Sequence, residues 1–213
     1  MSTNLRNTKI LYMVELAMLS ALIVVLQFLG TFLTGFTGLP MSIVLIPIVV
    51  GAFHLGPKAG AFLGGVFGLI TVIMGFSGAD AFTNILFNNF GTLKMIICVV
   101  LCFVKAICAG LGAGLIYKGL NKIFKEKKKT LVTVIASVSA PVINTGLFVI
   151  AMLLFFFNDM AAIQTSLGIQ AITPSFKFIF LVLAGWNFVS EFLINLIISP
   201  AVTRVVDVFK KRK

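Results

Sequence analysis

The sequence predicts an all-α integral membrane protein, a compact bundle of six transmembrane helices that forms one domain over residues 1–213 with both termini in the cytoplasm. Three observations predict it: the weight of apolar residues, their division into runs of spanning length, and the alternation of charge between the connections. Hydrophobic residues make up 60% of the 213 and charged residues 11%, with a mean hydropathy of +1.14. A soluble domain of this size has too little interior to hide that much apolar surface, so lipid must solvate most of it.

A spanning helix needs roughly 20 mostly apolar residues. The apolar runs predict helices at residues 10–30, 41–56, 58–75, 93–117, 131–157 and 175–206. The second is short and Pro47 interrupts it. The connections alternate in charge. The N-terminal segment carries Arg6 and Lys9, the 31–40 loop carries no charge, and the turn Gly56-Pro57-Lys58 is positive. The 76–92 loop carries Asp80 alone, residues 118–130 are strongly basic, the 158–174 loop carries Asp159 alone, and the tail 204–213 is strongly basic. Cytoplasmic connections collect Lys and Arg, so every second connection being basic places both termini inside, and six spans fit the alternation without conflict. The connections without Lys or Arg are Gly-, Thr-, Ser- and Asn-rich and two are long, which points to binding loops on the outer face.

The formal net charge is +11, and it sits in two runs. One holds Lys118, Lys122, Lys125, Lys127, Lys128 and Lys129; the other holds Arg204, Lys210, Lys211, Arg212 and Lys213. Runs that flank apolar segments set orientation and meet anionic lipid headgroups, so membrane lipid is the expected partner and nucleic acid is not. The apolar run after Ile10 is too long for a cleaved signal and no A-x-A site follows it. Cys98, Cys102 and Cys108 share one apolar helix with no metal or redox spacing and read as packing residues.

Gly60, Gly64 and Gly68 fall at spacing four on the third helix, and Gly110 and Gly114 repeat it on the fourth. Small residues at this spacing let backbones approach closely in lipid, which reads as internal packing. Ala17 and Ala21, with Ser20 beside them, give the first helix a similar face that suits packing or the docking of a partner helix.

Ionisable groups inside the membrane are costly and usually functional. Lys105 lies thirteen residues before Lys118, and Glu191 thirteen before Arg204, each marking the inner interface. Both therefore lie about 20 Å above that boundary at 1.5 Å per residue. Asn144, fourteen residues after Thr130 on a helix running the other way, reaches the same depth. Asn187 lies one turn from Glu191 on the same face, and Trp186 adjoins it. Two readings of this layer stand: a buried ion pair with amide partners that fixes packing, and the floor of a solute pocket open to the outside. A lysine fully matched by Glu191 has little charge left for an anionic solute; one partly matched can bind a carboxylate. Asn84, Asn88 and Asn89, interleaved with Phe82, Phe87 and Phe90, add amide groups among aromatics before the fourth helix, which suit either a polar organic solute or the capping of helix ends. Asp80, Lys94 and Lys177 read as solvated or snorkelling charges near the outer interface. His54, the single histidine, reads as interfacial.

No H-E-x-x-H, G-x-S-x-G, paired carboxylate cluster or Walker A stretch occurs in the sequence. No catalytic residue, metal site or cofactor is therefore expected, and any ATP used in transport must be bound by another chain.

In size, number of spans, position of the termini and basic connection between the fourth and fifth helices, the chain resembles the substrate-binding S components of energy-coupling factor (ECF) vitamin transporters. The most specific stretch is IPIVVGA at 46–52 followed by LGPKAGAFLG at 55–64, which resembles the family's helix 2–3 region. Ala17-x-x-x-Ala21 is similar to the family's A-x-x-x-A motif. The resemblance implies a non-catalytic subunit of the bacterial cytoplasmic membrane that takes a water-soluble vitamin from outside between helices 4–6 and the outer loops. It implies docking through Ala17 and Ala21 on a transmembrane coupling protein with two ATPase subunits, toppling as ATP is used, and release inside. The third-helix region and Asn144-Thr-Gly-Leu-Phe148 resemble pantothenate-type members most, with Lys105 or Lys94 the cation for its carboxylate. The competing class is a self-sufficient secondary transporter of a small organic solute, which calls for an internal repeat or coupling-ion carboxylates; only Glu191 is available for the second and no repeat is evident.

Overall fold

A computed structural model describes residues 2–37, 43–124, 128–168 and 175–211. Among them there is no strand. The described residues form nine α-helices: α1 (Ser2–Thr37), α2 (Leu45–His54), α3 (Pro57–Ser77), α4 (Ala81–Asn88), α5 (Gly91–Phe124), α6 (Lys129–Phe155), α7 (Met160–Ser166), α8 (Ser175–Lys177) and α9 (Gly185–Lys211). A 3-10 turn at Phe157–Asp159 precedes α7, and a π-helical turn at Phe178–Leu183 precedes α9.

Among the described residues five segments are long and apolar enough to cross a membrane: Lys9–Leu33, Pro57–Ser77, Thr92–Phe124, Lys129–Phe155 and Asn187–Val208. The second expected span is the exception. α2 has 10 residues, a length of about 15 Å, half of a hydrocarbon core of roughly 30 Å. Pro47 does not interrupt it. It lies in the first turn, where its missing N–H would have no intrahelical partner in any case. Three further expectations need correction. The 76–92 connection contains a helix, α4, capped at its start by Asp80. Most of the expected basic linker is helical, since α5 runs on through Lys118 and Lys122 to Phe124 and α6 starts at Lys129, leaving Lys125–Lys127 outside the described residues. The last helix is broken at its start by the π-helical turn, where Ala184 N–H reaches back five residues to Ile179 O at 2.9 Å.

The two small-residue seams meet each other. A methyl group added at Gly60 would lie 2.5 Å from Gly110 O, one at Gly68 would lie 2.8 Å from Cys102 O, and one at Gly64 would run into Ala106 O. α3 and α5 are thus packed backbone against backbone, the approach that small residues permit in lipid. The tight corner between α2 and α3 is Gly56 at φ 106, followed by Pro57 at the first helical position.

Two apolar clusters result. The larger joins α1, α2, α3, α5, α6 and α9 through Ile23, Leu45, Ile48, Leu63, Ala113, Ala136 and Val202. The other joins α4, α5, α6, α7 and the π-helical turn through Leu86, Phe87, Cys98, Met152, Phe156, Ile163 and Phe178. α1 stands apart: its apolar window is 11% buried, against 61% for α3.

Candidate functional site

A cavity of about 560 Å³ lies where the two clusters adjoin, taking Phe67 from the first and Leu86, Cys98, Leu101 and Cys102 from the second. Its polar lining comes from α1 (Gln27, Thr31), α3 (Thr71), the start of α4 (Asp80, Thr83), α5 (Lys105), α6 (Asn144, Thr145) and α9 (Asn187, Glu191). The four residues expected at a common depth, Lys105, Asn144, Asn187 and Glu191, all line it.

Glu191 is 1% exposed and anchors the polar group. Asn187 Nδ2, one turn away on α9, donates to Glu191 Oε1 at 3.2 Å, and Asn144 Nδ2 on α6 approaches Oε2 at 3.5 Å. One turn further, Asn195 Nδ2 donates to the Glu191 backbone carbonyl at 2.8 Å. Lys105 is not matched by this carboxylate. Among the described residues no carboxylate oxygen lies within ion-pair distance of its ammonium, which instead lies 5.4 Å from the centre of the Phe148 ring. That ring meets Phe82 edge-on at 5.9 Å, so an aromatic pair adjoins the cation. Two buried atoms of the lining, Asn144 Oδ1 and Thr145 Oγ1, have no hydrogen-bond partner among the described residues. Leaving such atoms unpaired costs roughly 1–3 kcal/mol each, which a bound solute or water offsets.

The remaining sequence candidates lie elsewhere. Asn84 Nδ2 donates to Gly75 O at 2.8 Å and so caps the end of α3, while Asn88 Nδ2 is exposed and donates to Asn84 O at 3.1 Å; neither lines the cavity. The side chain of Trp186 lies outside the described residues. Ala17 and Ala21 are exposed on α1. Lys94 is not merely a snorkelling charge, because it pairs with Asp159 and lies 5.9 Å from the Phe90 ring. With Asn89 Nδ2 donating to Ser166 Oγ at 3.3 Å, it ties the α4–α5 corner to the α7 segment beside the cavity.

Sequence reasoning gave no cavity role to Asp80, Thr145 or Phe148, and it did not consider Glu15. Asp80 lines the cavity while its carboxylate accepts from Thr83 N–H at 3.3 Å and Thr83 Oγ1 at 2.6 Å. An aspartate three residues before a threonine at a helix start is a readable cap. Thr145 and Phe148 adjoin Asn144 on α6 and were reachable from helical spacing. Glu15 was overlooked altogether. Its Oε2 lies 3.1 Å from Nε2 of His54, whose side chain is 3% exposed, so this histidine is a buried polar contact between α1 and α2. Among the described residues no three His, Cys, Asp or Glu side chains cluster as metal ligands.

The family model described as "ECF transporter, substrate-specific component" matches residues 11–203, nearly the whole chain. The chain belongs to this family. No individually curated protein matches it. As an ECF substrate-specific component it is a multi-pass membrane protein and a substrate-binding transport subunit of a generally non-catalytic kind. Its partners are an ECF transporter module and a small-molecule substrate.

Proposed function

We propose that this component captures a small water-soluble vitamin from outside, with pantothenate favoured, in the cavity between α5, α6 and α9, and delivers it inward through an ATP-driven complex. The observation that carries the reading is the Lys105 ammonium, which lines the cavity with no carboxylate oxygen of the described residues within ion-pair distance. An ammonium so placed is expensive unless an anion joins it, and a solute carboxylate is an anion of the right reach. Glu191, already engaged by Asn144 and Asn187, is then a fixed acceptor that holds those amides in place. Asn144 Oδ1 and Thr145 Oγ1 are left to pair with hydroxyl or amide groups of the solute. Pantothenate carries one carboxylate, one amide and two hydroxyls, and so supplies a partner for each.

In this reading the bundle crosses six times with both termini inside, α2 and its flanking residues forming the thin second crossing. The exposed Ala17 and Ala21 face of α1 docks on the transmembrane coupling protein, which two ATPases drive. The test is mass spectrometry of solute co-purified with the protein, followed by calorimetry with pantothenate. Micromolar or tighter binding that Lys105→Ala weakens supports the reading. A co-purified cation, or equal affinity in Lys105→Ala, overturns the carboxylate site.

A further inference from the structure

Cys98 and Cys102 pack in the second apolar cluster, at 3% and 4% exposure, and both also belong to the cavity lining. They stand one turn apart on the unbroken helix α5, so their side chains share a face. Both are free thiols, and they hydrogen-bond to each other. Lys105, one turn beyond Cys102, lines the same cavity.

Helix spacing decides what such a pair can become. Cβ atoms four residues apart in a helix lie about 5–6 Å from each other. A disulfide wants about 3.8 Å, so oxidation to a bridge would distort the helix. α5 is held against that distortion by α3: a methyl group added at Gly68 would lie 2.8 Å from Cys102 O, so the two backbones touch at this point. One ion seated between the sulfurs asks for no distortion. At a metal–sulfur length of about 2.3 Å, as in zinc thiolates, a linear sulfur–metal–sulfur unit spans ~4.6 Å. Linear two-coordination is the habit of soft monovalent ions with a filled d shell, and thiolates select Cu(I). Zinc prefers four ligands, and among the described residues no third His, Cys, Asp or Glu joins the pair. The surroundings are rich in sulfur: Met152 and Met160 are buried in the same cluster, and Met95 packs against it.

Charge decides what occupancy does to the pocket. A monovalent cation displaces two thiol protons, which pass to water, and the resulting bis-thiolate complex carries one negative charge. The Lys105 ammonium balances that charge from the same helix face. An ammonium so balanced has little left for a solute carboxylate.

We propose that Cys98 and Cys102 form a two-coordinate site for a soft monovalent cation, Cu(I) in kind, and that filling it closes the cavity to an anionic solute by taking up the charge of Lys105. The metal site stands on the thiols alone; the closure rests on the reading of the cavity as a carboxylate site. The test uses silver(I), a probe of the same class that does not change valence, on the Cys108→Ala protein, where the pair holds the only thiols. One silver ion per chain is expected in native mass spectra, with two sulfur neighbours by X-ray absorption. Silver bound through one sulfur, or through oxygen and nitrogen, overturns the site. Adding Cys98→Ala or Cys102→Ala should weaken silver binding at least about a hundredfold, because the second sulfur acts at high effective concentration. Equal affinity in either single-thiol protein also overturns it. Calorimetry then reads pantothenate binding with and without silver. Loss on loading, with recovery when excess dithiothreitol strips the silver, supports the closure; undiminished binding with silver in place overturns it. Absence of pantothenate binding in the silver-free protein, with the silver site intact, counts against the proposed solute and leaves the metal site standing.

Discussion

α3 and α1 are both single apolar helices of spanning length, yet the molecule uses them in opposite ways. α3 is locked into the bundle by glycines that press on the α5 backbone, and most of its apolar window is buried. Only 11% of the apolar window of α1 is fully buried, and Met13, Met18, Val25, Phe28 and Phe32 are exposed while Leu16, Leu19 and Leu26 pack on the core. The difference teaches that apolarity alone does not place a helix in lipid. Lipid tails are as apolar as leucine, so close steric fit decides which helices stay together. α3 and α5 form the frame on which the cavity is built, while α1 is held by fewer contacts and offers an open face.

The comparison can be broken most severely at Gly110. Gly110→Val drives a side chain into Gly60 O, so the α3–α5 frame should fail, at a cost above about 4 kcal/mol. The expected result is loss of monodisperse protein in detergent; a well-folded Gly110→Val protein would show that the helices separate easily. The corresponding insult to α1 should spare the fold. Ala17→Trp is expected to leave thermal stability and solute binding within error and to abolish uptake by the assembled transporter. Retained uptake would remove the docking role. At the cavity, Lys105→Ala should weaken binding of a carboxylate solute by about tenfold to a hundredfold, ~1.4–2.8 kcal/mol, with the melting temperature unchanged or raised. Asn144→Ala should weaken binding by about tenfold and lower stability slightly, because Glu191 loses one amide partner. The smallest effect is expected at the α1–α2 contact. Glu15→Gln keeps the shape but weakens the bond to His54, for a loss of about 1 kcal/mol read by thermal melting in detergent.

The sequence made the frame and the gathering of the polar residues readable because both depend on a single helical period. Gly60, Gly64 and Gly68 announce a close face, and counting residues from Lys118, Arg204 and Thr130 brings Lys105, Glu191 and Asn144 to one cavity. Pairing within that layer was not readable. Depth says nothing about rotation around each helix, and it is rotation that turns Glu191 to the asparagines and Lys105 to Phe148. Loops were the weakest part. The 76–92 connection read as open chain although Asp80, Thr83 and Leu86 contain the signal for a short capped helix. Asn84 and Asn88 therefore looked available to a solute when their amides are engaged by backbone carbonyls. Glu15 escaped because it lies near the expected inner boundary, where a carboxylate passes for a solvated one.

The π-helical turn at Phe178–Leu183 carries a consequence for how this pocket tolerates insertions and deletions. A residue beyond regular α-geometry offsets everything on its N-terminal side by roughly 100° of rotation relative to α9. Phe178 and Ile179 are thereby fully buried in the second apolar cluster while Asn187 and Glu191 still face the cavity. Deleting one residue from the turn would restore an ordinary helix and force a choice: either Phe178 and Ile179 leave the apolar cluster or Asn187 and Glu191 swing away from the pocket.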